Sequence, residues 1–176
     1  LPGRFSTGFQ IAELGFGTGL NLLVALAAWR KSGVKGVLYF TSFEAFPLTP
    51  EQMIIAHQAF PEIKEIATEL ASLWGNTITL PDLKFDLILG DARDTLPAWF
   101  KKADAWFLDG FAPTKNPELW EPTLMADVAQ HTKPGGSCAT YTAAGFVRRS
   151  LQKAGFSITR TPGFGRKRHM TKGTRQ

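Results

Sequence analysis

Four carboxylates in this chain each sit in or just after a short apolar run. Glu13 lies in Ile11-Ala12-Glu13-Leu14, Glu44 follows 37–43, Asp91 follows Leu89-Gly90, and Asp109 follows Ala105-Trp106-Phe107-Leu108. Acids at strand ends can hold hydroxyls or amines, because each carboxylate oxygen offers two lone pairs. Behind the first acid, Gly15, Gly17 and Gly19 alternate with Phe16 and Thr18. Glycines at such a point let the backbone turn sharply and approach a ligand that a side chain would push away. A helix predicted from Leu20 onward would aim its free N–H groups and positive end at the same spot, which suits a carboxylate or a phosphate. The chemistry implied is capture of a nucleotide-like molecule.

Spacing separates the candidate ligands. A dinucleotide fingerprint needs G-x-G-x-x-G, but Leu20 holds the place of the third glycine. A phosphate-cradling loop needs Gly-Lys-Ser/Thr, and the chain has no such run. Glu13 followed by Gly15-Phe16-Gly17-Thr18-Gly19 instead resembles the acid plus G-x-G-x-G pattern of class I methyltransferases, which bind S-adenosylmethionine. That resemblance sets the methionine carboxylate at the helix end and its ammonium at Glu13, with Phe16, Thr18 and Asn21 in the same cofactor loop. Glu44, one strand later, is where a ribose diol is usually gripped, two oxygens meeting two hydroxyl donors. Asp91 has two readings: it receives an adenine amino group, with Ala92 offering a backbone N–H, or it caps the next helix.

Alternating strands and helices must position these acids. The pattern predicts a helix over 20–31 that stops at Gly33, and a strand over 37–43. Thr49-Pro50-Glu51-Gln52 reads as a capping box opening a helix to about residue 60, followed by another over 63–74. Two strand-like runs lie in 76–89, a short helix in 95–101, and a buried strand in 105–108. The loop from Gly110 to Pro117 is aromatic and carries two prolines, as a substrate-positioning loop would. A helix over 118–130 tolerates Pro122 near its start, 133–136 is a turn, and 137–141 a strand. A helix over 147–154, a strand over 156–160 and a last strand within 163–170 complete the chain. This order means α/β with a mainly parallel sheet, and no repeat or linker marks a second domain. Ligands of such sheets bind beyond the carboxyl ends of the strands, which brings Asp109 beside the glycine loop.

At 176 residues and 44% hydrophobic, the chain can bury one sizeable core, which excludes a disordered class. No 18-residue apolar run exists, so no membrane span is expected. Cys138, the single cysteine, excludes an internal disulfide, fits a reducing cytoplasm and reads as a core residue. His57, His131 and His169 are isolated from one another, so no metal site is expected, and no G-x-S-x-G elbow exists. Residues 128–176 hold ten of the twenty Lys/Arg and none of the fifteen Asp/Glu. Such a basic end suits a polyanion, most often nucleic acid; the alternative is a solvated face.

Taken together, several stretches resemble one family. They are Glu13 to Asn21, Ser42-Phe43-Glu44-Ala45-Phe46-Pro47-Leu48, and Trp106 to Pro113 with Lys115-Asn116-Pro117. Ala144-Gly145-Phe146-Val147-Arg148-Arg149 and Gly163-Phe164-Gly165-Arg166-Lys167-Arg168 complete the set. The chain is similar over nearly its whole length to the methyltransferase of tRNA 5-methylaminomethyl-2-thiouridine biosynthesis, the MnmC/MnmD type. The resemblance implies a class I methyltransferase sheet, Rossmann-like, seven-stranded with an antiparallel last strand. It implies one methyltransferase domain over 1–176, expected to be a fragment or the ordered part of a longer protein since Leu1 is not a natural start. The join between Trp74 and Asp91 is shorter than family members usually have.

The activity implied is methyl transfer from S-adenosylmethionine to the aminomethyl group of 5-aminomethyl-2-thiouridine, at the wobble position in a tRNA anticodon stem-loop. Some members are fused to a flavin-dependent oxidoreductase that prepares the amine. Asp109 is then the catalytic candidate, as base or as orienting group. Phe111, Pro113 and Lys115 belong to the substrate loop. Phe111, with Phe46 and Trp120 as further candidates, would stack on the uracil. Arg148, Arg149, Arg166, Lys167 and Arg168 would meet the RNA backbone. Competing readings are a same-fold methyltransferase acting on a small-molecule or protein amine, which needs no basic end, and an RNA-binding module with a vestigial pocket.

Overall fold

The computed structural model describes residues 1–176 apart from Phe164 and Arg166. The strands are β1 (Gln10–Leu14), β2 (Leu38–Glu44), β3 (Thr77–Leu80), β4 (Leu83–Leu89), β5 (Ala103–Leu108), β6 (Thr132–Thr140), β7 (Phe156–Pro162) and β8 (His169–Arg175). The helices are α1 (Leu20–Ser32), α2 (Pro50–His57), α3 (Lys64–Leu70), α4 (Ala92–Thr95), α5 (Pro122–Gln130) and α6 (Gly145–Lys153). One sheet contains all eight strands in the order β3-β4-β2-β1-β5-β6-β8-β7. The run from β4 to β6 is parallel, while β8 is antiparallel to both β6 and β7. The mainly parallel α/β sheet with an antiparallel final strand is therefore present. Among the described residues the count is eight rather than the seven that the resemblance implied, because β3 folds back on β4 as an antiparallel edge hairpin.

Period-two alternation sends side chains of the central strands into two cores. Ile11, Phe40, Phe85 and Ala105 pack on one face with Leu22, Leu23, Leu26 and Trp29 of α1. Ala12, Leu14, Phe43, Trp106 and Leu108 pack on the other with Leu124 and Val128 of α5 and Val147 and Leu151 of α6. Fully burying each large apolar side chain contributes about 1.5–3 kcal/mol, so this three-layer packing is what fixes the sheet. Cys138 lies in the second core, where burial pushes its thiol up to about 12 and leaves it inert.

Several element boundaries differ from the sequence pattern. In place of a helix over 63–74 there is a 3-10 turn (Pro61–Ile63) and then the shorter α3. The helix expected at 95–101 is instead α4, capped from Asp91. The helix over 118–130 breaks at Glu121, whose ψ of 146° is extended. Pro122 disfavours helical backbone in the residue before it, so Pro117–Trp120 forms a 3-10 turn and α5 starts afresh at the proline. Residues 133–136 do not interrupt β6, but its pairing with β5 shifts register between Ala103 and Ala105. The last strand begins at His169, later than 163–170 suggested.

Candidate active site

Register explains why distant acids meet. Glu13 pairs with Ser42 on one side and Phe107 on the other. Glu44 and Asp109 lie two residues beyond those partners, so alternation turns all three acids to the α1 face, at the carboxyl ends of adjacent strands. The loop between β1 and α1 arches over them. Gly15, Gly17 and Gly19 have φ of 86°, 52° and 73°, a region that favours glycine. A Cβ on Gly15 would stand 3.0 Å from Gly110 Cα and 3.2 Å from the Asp109 carbonyl oxygen, so the glycine loop touches the end of β5 directly. Gly19 is the N-cap of α1 and supplies no side-chain cap, leaving the first N–H groups of the helix for another partner.

Glu44 ties this loop to β2. Its Oε2 accepts N–H bonds from Phe16 (2.9 Å) and Gly17 (3.2 Å), and its Oε1 accepts one from Phe46 (2.9 Å). Glu13 is fully buried, its Oε1 accepting from Asn21 Nδ2 at 2.7 Å and its Oε2 from the Ser42 hydroxyl at 2.8 Å. Burial pushes its carboxyl up to about 8, against those two hydrogen bonds and with the help of the nearby Asp109 and Glu44 charges. Asn21 Nδ2 also donates to Asp109 Oδ2 at 2.8 Å. Asp109 is accessible at the cavity wall but backed by protein; loss of water raises its pKa, and the Asn21 bond opposes that rise.

A cavity of about 450 Å³ opens at these strand ends, within the usual range for a small-molecule site. Gly15, Gly17, Glu44, Asp91, Ala92, Asp109, Phe111 and Lys115 all line it. Asp91 does cap its helix: Oδ1 accepts the Arg93 N–H at 2.9 Å, and the Arg93 guanidinium holds the carboxyl below the usual range. A ligand amine reaching Asp91 would therefore share it with Arg93. Phe16 turns its ring into the core, stacked on Phe85 and packed against Gly19, and its backbone N–H, not its ring, meets Glu44. Thr18 gives its carbonyl to His57 Nε2–H at 2.7 Å.

Within the loop after β5, Phe111 is 74% exposed and Phe46 across the cavity is 87% exposed, whereas Trp120 is 1% exposed. The idea of Trp120 as a stacking platform is corrected: it is a core residue whose indole N–H holds the Phe111 carbonyl at 2.9 Å. Pro113 is buried beneath the loop and Lys115 is exposed. Arg148 is half-buried on α6, and Arg149, Lys167 and Arg168 are exposed; Arg166 lies outside the described residues. Tyr141, absent from the sequence reading as a site residue, joins these regions. Its hydroxyl donates to the Gly110 carbonyl at 2.8 Å, and the Lys167 ammonium lies 5.2 Å from its ring centre. Ser42 was also missed, although its place two residues before Glu44 puts it on the same face of β2.

Comparison with known proteins bears on the family of the chain. A family model described as S-adenosyl-L-methionine-dependent methyltransferase matches residues 57–176. The chain is 44% identical over 184 aligned residues to the tRNA 5-methylaminomethyl-2-thiouridine biosynthesis bifunctional protein MnmC of Hahella chejuensis, covering 96% of this chain and 28% of that protein. Identity to the protein of the same name in Aliivibrio fischeri is 45%, over 94% of this chain and 27% of the relative. The chain thus spans just over a quarter of the length of these curated relatives. Its structure is similar to a crystal structure of MNMC2 from Aquifex aeolicus, with a TM-score of 0.76 and 31% identity over 98% of this chain and 54% of that one. With the family model spanning well over half of its residues, the chain belongs to the S-adenosyl-L-methionine-dependent methyltransferases.

Proposed function

We propose that this chain methylates the aminomethyl nitrogen of 5-aminomethyl-2-thiouridine at the wobble position of tRNA. The observation that carries the reading is that Asp109 and Glu44 line one cavity whose mouth is flanked by exposed Phe46, Phe111 and Lys115. The names of the relatives carry 5-methylaminomethyl-2-thiouridine, the nucleoside such a methyl transfer would yield. In this reading residues 1–176 act as one methyltransferase domain, since both cores rest on one continuous sheet. An oxidoreductase activity, attached or separate, prepares the amine. A tRNA substrate sets the reaction in the cytoplasm.

The donor set fits S-adenosylmethionine. Glu44 accepts three backbone N–H bonds and keeps one lone-pair site, on Oε1, for a ribose hydroxyl. The uncapped first turn of α1 suits the methionine carboxylate. Open space above Gly17 leaves room for the ligand to approach the loop, and Asp91 and Ala92 border the same cavity for the adenine. When bound, the cofactor supplies an electrophilic sulfonium methyl group.

The residues of the chain then orient the nucleophile. An alkylammonium titrates near 10 and an ordinary Asp near 4, a mismatch of about 8 kcal/mol for direct proton transfer. Loss of water moves Asp109 in the right direction, but the Asn21 hydrogen bond holds it back. Asp109 accordingly holds and aims the amine while its proton passes to water, and such alignment can supply several kcal/mol of barrier reduction. Phe111 offers a ring for the displaced uracil, and Arg148, Arg149, Lys167 and Arg168, with Arg166, meet phosphates.

The test is methyl incorporation into tRNA carrying or lacking the aminomethyl group. Incorporation is expected only with the aminomethyl tRNA, and Asp109→Asn should lower it roughly 100-fold or more while the cofactor-induced thermal shift persists. Incorporation into both tRNAs would reject the substrate; wild-type turnover in Asp109→Asn would remove Asp109 from the chemistry.

A further inference from the structure

We infer that Asn21 is a positioning residue for Asp109: anchored on the buried Glu13, its amide fixes one oxygen of the Asp109 carboxylate and leaves the other for the reacting amine. This rests on the reading of Asp109 as the group that holds the amine. The resemblance sets Asn21 among cofactor contacts, but the geometry gives its two amide protons other work. One Nδ2 donates to Glu13 Oε1 at 2.7 Å and to Asp109 Oδ2 at 2.8 Å. Both donors are thereby committed to protein carboxylates. Among the described residues, Asp109 Oδ1 has no such partner, and Asp109 lines the cavity.

The anchor is rigid. Glu13 is fully buried in β1, and its second oxygen is held by Ser42 of β2. Asn21 sits in the first turn of α1, half-buried between the two acids. Only a primary amide places two donors on one short arm at this site: Asp would offer acceptors alone, and Ser a single donor. A hydrogen bond at each end also restricts the Asp109 rotamer, which thermal motion would otherwise spread across the cavity mouth. Charged and titratable groups facing Asp109 come from every neighbouring element. They are Glu13 on β1, Glu44 on β2, Asp91 and Arg93 at α4, Lys115 in the loop, Glu118 in the 3-10 turn that follows it, and Tyr141 after β6. Of these, none donates to Asp109 as Asn21 does.

The experiment compares wild type, Asn21→Ala and the isosteric Asn21→Asp in methyl transfer to aminomethyl tRNA across pH. Expected are a fall in kcat of roughly 10- to 100-fold, KM values for cofactor and tRNA within about 3-fold, and a deeper loss in Asn21→Asp than size alone would give. The acid limb of kcat/KM should move to higher pH in Asn21→Ala, because the bond that favours ionised Asp109 is gone. Ser42→Ala, which touches Glu13 alone, should leave that limb in place. Wild-type kcat in either variant, a loss confined to the cofactor KM, or an unmoved acid limb would overturn the inference. Should the Asn21 variants not fold, the side-chain amide protons of Asn21 in the intact wild type decide by NMR. They should shift with the acid limb and stop doing so in Asp109→Asn; protons indifferent to Asp109 would overturn it. An inactive wild type would instead reject the substrate reading.

Discussion

Glu13 shows how one buried side chain sets a pH window. Its carboxyl is pushed up to about 8 in the folded protein, chiefly by burial, from an ordinary value of 4.5. The folded state therefore holds a proton that the unfolded chain releases above pH 4.5. Its contribution is fully present below that point and is lost as pH rises through about 8. Between pH 5 and 8 the wild type should lose up to about 1.4 kcal/mol of stability per pH unit from this group. Glu13→Gln keeps the shape without the proton, so its stability should be flatter across that range. Urea unfolding at several pH values checks this, and parallel curves for the two proteins would mean that Glu13 is ionised in the fold. A neutral Glu13 also leaves Asp109 as the charged end of the Asn21 bridge.

Among the elements, the glycine loop separates strain from contact. Gly15→Ala combines a left-handed φ of 86° with three backbone atoms of Asp109 and Gly110 at 3.0–3.2 Å, so the end of β5 must shift. It should cost about 1–3 kcal/mol and disturb methyl transfer even with cofactor saturating. Gly17→Ala meets open space at a φ of 52°, so it should cost about 1 kcal/mol and weaken cofactor binding instead. Melting temperature and cofactor affinity, measured on both, distinguish the two. Most of this was legible in the sequence because strand, acid and glycine are near neighbours: Glu44 and Asp109 follow their apolar runs directly and Glu13 sits one residue from the end of its own. The Thr49–Gln52 capping box was equally local and formed as read. What escaped depended on contacts across the fold. Trp120 reads as a stacking candidate just past the substrate loop until the core around α5 and β5 takes it in, and Tyr141 gains its role only where β6 ends beside Gly110. Asn21 was visible as a residue of the loop, but its second acid partner lies 88 positions away.

Over the whole molecule, charge is segregated, with every acid before residue 128. Arg149, Lys167 and Arg168 are exposed and Arg148 is half-buried; through Tyr141, Lys167 adjoins the Gly110 loop at the cavity. tRNA affinity should fall steeply with salt, and neutralising Arg148 and Arg149 together should reduce the magnitude of the log–log slope by about 1 per lost phosphate contact. Filter binding across salt checks this; affinity indifferent to salt would assign the basic end to a solvated face. The register that gathers residues 13, 44 and 109 has one more consequence. Because β1, β2 and β5 each bring one acid, no fragment of the sheet lacking one of them holds the whole set, and a refolding chain acquires its full ligand affinity only when the innermost pairings close. Cofactor then acts as a latch on the finished molecule, slowing its reopening without hastening its assembly.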